Sequence, residues 1–389
     1  MAEKEIRIHN KSDRPDNVIK KENDIYLECE EIESELPKFL RGFFAYLKGN
    51  VLPATRLAYL HDIRFFFRYL IQETDLTEAK MTDKIKLSEL DQVKAVDVNL
   101  FIEYCRRYKI ETDDSVYVYE NSNKSLARKK SSLSVMFKQL YRDELLSKNI
   151  TDGFDPIRVA KPGEREIKAL QDDEVMVMLD AVSTGAGLTE HEQKYWQKTK
   201  KRDKAILIVF LTYGLRLSEL QQLNLSSFNF KRGEFIIYRK RGKESVMPLN
   251  NSVTAVLRDY IDNERGNEAN LADEHKDALF LSLQGRRMTE RQIRELVKKY
   301  TAIALSTSRR AGYSPHKLRA TAATSLIGRG NSIFDVAALL DHEQVTTTQL
   351  YAREKINVKR DLVKDMEWET ERTENKNGAA KSNFRVFKK

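Results

Sequence analysis

The chain has 389 residues, 41% of them hydrophobic and 33% charged, and no uncharged apolar run long enough to cross a bilayer, so two or three water-soluble domains are expected. Lys and Arg outnumber Asp and Glu by 68 to 59, for a net charge of +9, which favours a polyanionic partner. Cys29 and Cys105 stand far apart without metal-spaced neighbours, arguing against a disulfide framework or a zinc site, and the charged start "MAEKEIRIHNKSDRPDN" lacks the apolar core of a secretory signal. A cytoplasmic protein is expected.

Residues 1–34 are polar and mixed in charge, and read as an N-terminal extension without a trusted helical stripe. From Leu36 the pattern changes. "LPKFLRGFFAYLKG" puts Leu36, Phe39, Leu40, Phe43, Phe44 and Leu47 on one helical face and stops at Gly49. "PATRLAYLHDIRFFFRYLIQET" predicts a second helix with a basic edge, while "SELDQVKAVDVNLFIEYCRRY" and "SLARKKSSLSVMFKQLYRDELL" predict two more. Residues 35–155 therefore read as an all-helical domain, with Thr55, Arg56, Arg64, Arg128, Lys129 and Lys130 as candidate DNA contacts on its basic stretches.

Gly153, Pro156, Pro162 and Gly163 mark a linker, placed at 156–166. A second domain follows over 167–360. It begins with a helix whose first turn is acidic, "ALQDDEVMVMLDAV", and an apolar helix, "KRDKAILIVFLTYG", that breaks at Gly214. "FNFKRGEFIIYRKRGKESVMPL" reads as a three-stranded antiparallel meander with two Gly-bearing turns. Helical patterns then resume up to Tyr351, and in "NSIFDVAALLDH" either Asn331 or Ser332 is the cap. The fold class is thus mainly α with a small antiparallel β-sheet, and residues 361–389 form a C-terminal tail.

Several polar residues in the second domain suit phosphoryl chemistry. Arg216 follows the helix-breaking Gly214 and opens the next helix, with Glu219 one turn on to hold its guanidinium. His316 and Arg319 are three apart on a helix. Lys240 and Lys243 flank a hairpin tip, and His342 closes a helix nine residues before Tyr351. Singly, each has an ordinary explanation: a surface ion pair, a basic helix start, a solvated turn, a helix cap, a core aromatic. Together they supply what a phosphodiester exchange needs. Two arginine forks hold the charge on the non-bridging oxygens. A phenol, with a pKa of about 10, becomes nucleophilic where cations favour phenolate, and a general acid such as Lys240 protonates the departing oxygen. Arg, Lys and His supply the positive charge here, so neither metal nor other cofactor is expected.

In this order the residues resemble the tyrosine recombinase (phage integrase) family. The motifs read "YGLRLSEL", "RKRGKESVMPL", "HKLRATAATSL", "LLDH" and "TTTQLYA", and agree in spacing over about residues 165–360. The domain at 35–155 resembles, more weakly, the core-binding domain of Xer-type enzymes. The resemblance implies a C-shaped clamp on double-stranded DNA, attack by Tyr351 on the scissile phosphate to give a 3′-phosphotyrosyl link, and exchange through a Holliday junction by a tetramer on DNA. It implies phosphate clamping by Arg216 and Arg319, a pocket completed by His316 and His342, and leaving-group protonation by Lys240, with Lys243 close enough in sequence to compete. It also suggests that the segment from 361 docks on a neighbouring protomer. Asp341 stands where the family usually has Gly, and Ala320 where His is common. A simple recombinase or mobile-element enzyme is the reading. The alternatives are a DNA-binding regulator that has lost catalysis and a type IB topoisomerase.

Overall fold

The computed structural model describes residues 14–159, 168–239, 242–266 and 271–341. Two compact units divide at residues 161–162.

The first unit opens with helix α1 (Asp16–Ser34), where the sequence reading placed a polar extension. Val18, Cys29 and Ile32 are buried along α1, with Ile25 packed against the same core. The stripe is only one residue wide on a highly charged helix, so composition hides it. Helices α2 (Arg41–Asn50), α3 (Pro53–Glu73), α4 (Leu87–Leu90), α5 (Ala95–Arg106) and α6 (Asn123–Arg142) complete the helical part. Phe66 of α3 meets Phe101 of α5 and Phe137 of α6 edge-on, with ring centroids 5.1 and 6.1 Å away, the geometry that aromatic quadrupoles favour. Cys105 lies in this core as a free thiol, and burial pushes its pKa up to about 12.

The unit is not all-helical. Strands β1 (Arg107–Thr112) and β2 (Ser115–Glu120) form an antiparallel hairpin between α5 and α6, in register from Arg107 opposite Glu120 to Thr112 opposite Ser115. Its base is held by an aromatic ladder in which Tyr108 stacks on Tyr104 at 5.7 Å and on Tyr119 at 5.1 Å. Beyond that base, Val116, Tyr117 and Val118 are exposed. With neither face buried, the hairpin leaves no in-out alternation for a sequence reading to find.

The second unit is built around α9 (Lys200–Tyr213), a helix with no exposed residue that packs with α7 (Asp172–Thr184), α11 (Asn251–Asn263) and α14 (Pro315–Gly328). Its N-terminus is capped from afar: the Glu264 carboxylate accepts from the backbone N–H of Lys201 and of Arg202, each at 2.9 Å. Such a cap satisfies two of the four donors that a helix start leaves unpaired. Around this centre lie α8 (Glu190–Trp196), α10 (Leu217–Gln221), α12 (Asp273–Lys276), α13 (Glu290–Ala304) and α15 (Ile333–Leu340). Strands β3 (Phe228–Asn229), β4 (Glu234–Tyr238) and β5 (Glu244–Pro248) form a three-stranded sheet in sequence order, as the meander reading expected. Ser332 caps α15, its hydroxyl accepting from the Phe334 N–H at 3.2 Å.

Candidate active site

Three chain breaks in the second unit position the polar residues. The first follows α9, where Gly214 takes φ +56° and ends the helix. A Cβ there would stand 2.5 Å from Leu340 Cδ2, so this residue supplies both the left-handed turn and the close approach of α15. Arg216 is the N-cap of α10. Its own N–H donates to Glu219 Oε2 at 2.8 Å, and its Nη1 donates to Glu219 Oε1 at 2.7 Å. Glu219 is buried, so one carboxylate fixes both the backbone and the guanidinium.

The second break precedes α14, where Pro315 occupies the first helical turn. His316, exposed at the second position, and Arg319, buried one turn later, share this helix but differ in environment. Between them, Lys317 lies over the Tyr313 ring at 4.1 Å, and burial followed by the charge of Lys168 lowers its pKa. The third break ends α15, where Asp341 takes φ +52° and ψ +52°.

These breaks meet around two guanidinium groups. Arg319 Nη1 donates to the Gly214 carbonyl at 2.7 Å, and Nη2 donates to the carbonyl of Leu340. Arg216 Nη2 donates to the carbonyl of Asp341 at 3.1 Å. The two arginines thus cap consecutive carbonyls at the C-terminus of α15, where the helix dipole presents partial negative charge. Both guanidinium groups are thus held at one helix end, that of Arg319 buried and that of Arg216 33% exposed.

Lys240, His342 and Tyr351 lie outside the described residues. Lys243 is exposed beside the turn between β4 and β5, where its carbonyl accepts from the Arg239 N–H at 2.8 Å. In the first unit, the expected DNA contacts separate into two kinds. Arg56 and Lys129 are internal. Arg56 donates twice to Glu33, from Nε at 3.0 Å and from Nη2 at 2.6 Å, and Lys129 reaches the buried Asp62 at 3.1 Å. A buried carboxylate such as Asp62 needs a cation, which Lys129 helps to provide, while Arg56 is buried against the half-buried Glu33. Thr55 is half-buried in the first turn of α3, and Arg64 donates to Glu35 at 2.9 Å. Arg128 is partly exposed while donating to Asp62 and, at 3.0 Å, to the Ala58 carbonyl; Lys130 donates to the Asp155 carbonyl at 2.6 Å. The sequence reading missed the carbonyl acceptors of Gly214, Leu340 and Asp341, which as backbone atoms leave no residue-type signal.

The family model for the phage integrase family matches residues 168–357. A tyrosine recombinase XerC of Natranaerobius thermophilus is 32% identical over 283 residues, covering 71% of this chain and 84% of the relative. The chain belongs to the phage integrase family of tyrosine recombinases. Another tyrosine recombinase, XerC of Caldanaerobacter subterraneus subsp. tengcongensis, is 31% identical to this recombinase over 337 residues, 86% of each chain. Among solved structures, a Tn1549 transposon integrase in complex with transposon right end DNA covers 87% of this chain and 99% of its own, at a TM-score of 0.56 and 20% identity. XerH bound to difH substrate covers 81% and 79%, at 0.53 and 15%. These likenesses establish a shared fold. The enzyme is accordingly a site-specific tyrosine recombinase of Xer-like type.

Proposed function

We propose that this recombinase cuts and rejoins double-stranded DNA with Tyr351 as nucleophile and Arg216 and Arg319 as the clamp on the scissile phosphate. The observation that carries this is the convergence of both guanidinium groups at the end of α15, on the carbonyls of Leu340 and Asp341, eleven and ten residues before Tyr351 in the chain. In the cleavage step Tyr351 gives up its phenolic proton to solvent, the phenolic oxygen bonds to phosphorus, the bond to the 5′ oxygen breaks, and Lys240 delivers a proton to that oxygen. His316 and His342 complete the phosphate pocket. The 3′-phosphotyrosyl link keeps the energy of the broken bond, so a 5′-hydroxyl from another strand reverses the step and completes the exchange.

The solved relatives bound to DNA support a duplex as the partner. The expected assembly is a tetramer on two sites, working through a Holliday junction in the cytoplasm. Among the described residues no helix is long and apolar enough to cross a membrane. Neither the inactive regulator nor the topoisomerase is favoured: both curated relatives above are recombinases, and no clamp residue is missing.

A nicked duplex, which loses the short 5′ strand after cleavage, traps the covalent intermediate. Wild-type protein should accumulate this adduct. Tyr351→Phe should form none while still retarding the same duplex in a gel, and an adduct on the variant would assign the nucleophile elsewhere.

A further inference from the structure

The residue that ends α15 is an acid where neither backbone nor charge favours one. Asp341 adopts left-handed backbone geometry, which glycine takes freely and a side-chain-bearing residue adopts only at a conformational cost. Its carboxylate also stands at a helix C-terminus, where the backbone dipole disfavours negative charge. Arg216 contributes an offset to both. The guanidinium donates to the Asp341 carbonyl at 3.1 Å, and its Nη1 lies 3.7 Å from Asp341 Oδ2. Arg216 therefore sits between two carboxylates of different character. Glu219, 2% exposed, grips it from the interior; Asp341, 26% exposed, faces it from the open side. That open side is the one from which a phosphodiester reaches a guanidinium that is itself 33% exposed.

We propose that Asp341 is a displaceable stand-in for the DNA phosphate: its carboxylate neutralises Arg216 in the DNA-free enzyme and must yield when the scissile phosphate arrives. The inference rests on Arg216 being a phosphate clamp. It adds a restraint on that clamp, since a phosphate must outcompete an anion already tethered beside the cation. DNA with further matched contacts supplies the difference, whereas an arbitrary phosphate does not. Asp341 thereby lowers affinity for non-cognate duplex more than it slows reaction at the cognate site.

Asp341→Asn separates charge from backbone, because asparagine tolerates the left-handed region as well as aspartate does. The full-length variant is compared with wild type on two nicked duplexes of equal length: one bearing the site recovered by mapping the DNA bound in cells, the other its scrambled sequence. The variant should bind the scrambled duplex about tenfold more tightly and the cognate one by a smaller factor. It should also form the adduct several-fold faster at subsaturating protein. Its plot of log affinity against log salt should steepen by roughly 0.9, one phosphate contact no longer offset by an internal anion. Asp341→Gly should reproduce the binding changes, and Asp341→Glu should retain the restraint. Unchanged or weakened binding of Asp341→Asn with an unchanged salt slope would overturn the proposal, as would a slower adduct at saturating protein, which would make Asp341 a positioning residue that assists Arg216. If wild type forms no adduct on the cognate duplex and Arg216→Gln does not weaken its binding, the clamp assignment itself fails. If wild type reacts and only the Asp341 variants are silent, the stand-in role alone fails.

Discussion

Gly214→Ala tests whether the end of α15 sets the phosphate clamp. Two costs follow from the structure. An L-residue at φ +56° loses about 1–2 kcal/mol relative to glycine. The new methyl would also stand 2.5 Å from Leu340 Cδ2, and Leu340 is fully buried in a cluster with Ala320, Ala323 and Val336, so turning it away means repacking that cluster. Overpacking of this kind costs about 1–3 kcal/mol, giving a total of roughly 2–5 kcal/mol. The shift needed to relieve the overlap moves the Leu340 carbonyl that holds Arg319, while Gly214 itself carries the other carbonyl bound by Arg319. Misplacement of a catalytic group by about 1 Å costs on the order of 10²-fold in rate. Gly330→Ala is the matched control: Gly330 also has positive φ, at +88°, yet a Cβ there meets nothing within 4 Å. Urea unfolding followed by circular dichroism, paired with adduct formation on the nicked duplex, reads both effects. If Gly214→Ala is no less stable than Gly330→Ala and cleaves at the wild-type rate, the proposed coupling between α9, α15 and the clamp is wrong.

The general acid is decided by comparing Lys240→Ala with Lys243→Ala. Loss of the true proton donor should slow cleavage by about 10²–10⁴-fold. Substituting sulfur for the bridging 5′ oxygen should restore the rate, because a thiolate departs without protonation. Equal loss in both variants, or no rescue, would reject the assignment. Alkaline stability provides a test of the second unit's core. Burial, opposed by a hydrogen bond from the Leu281 N–H, raises the Tyr260 phenol to about 12, and burial together with Asp203 also raises Tyr300. A raised folded pKa favours the neutral form, so this contribution is complete below the unfolded value of about 10 and is lost as pH rises towards 12. The urea midpoint should fall above pH 10, and a flat profile to pH 11.5 would contradict the burial argument.

The sequence by itself determined which residue types the proposed chemistry can draw on. Arginine forks, histidines, lysines and a tyrosine are needed by type, and the residues from Gly214 to Glu219 and from His316 to Arg319 sit in local motifs whose spacing survives any global arrangement. The core helices were legible for the same reason: their apolar stripes are wide and periodic. Tertiary structure decided which cations are buried. Arg56 and Lys129 resemble Arg64 and Lys130 in the sequence, and only the carboxylates of Glu33 and Asp62 from other helices make them internal. It also decided that α1 is a helix, because its narrow stripe gains its stability from packing on α3. The geometry of the proposed clamp was beyond sequence altogether. Arg319 finds the Gly214 carbonyl 105 residues away, and every residue type carries the same carbonyl, so only the folded chain selects which one it binds.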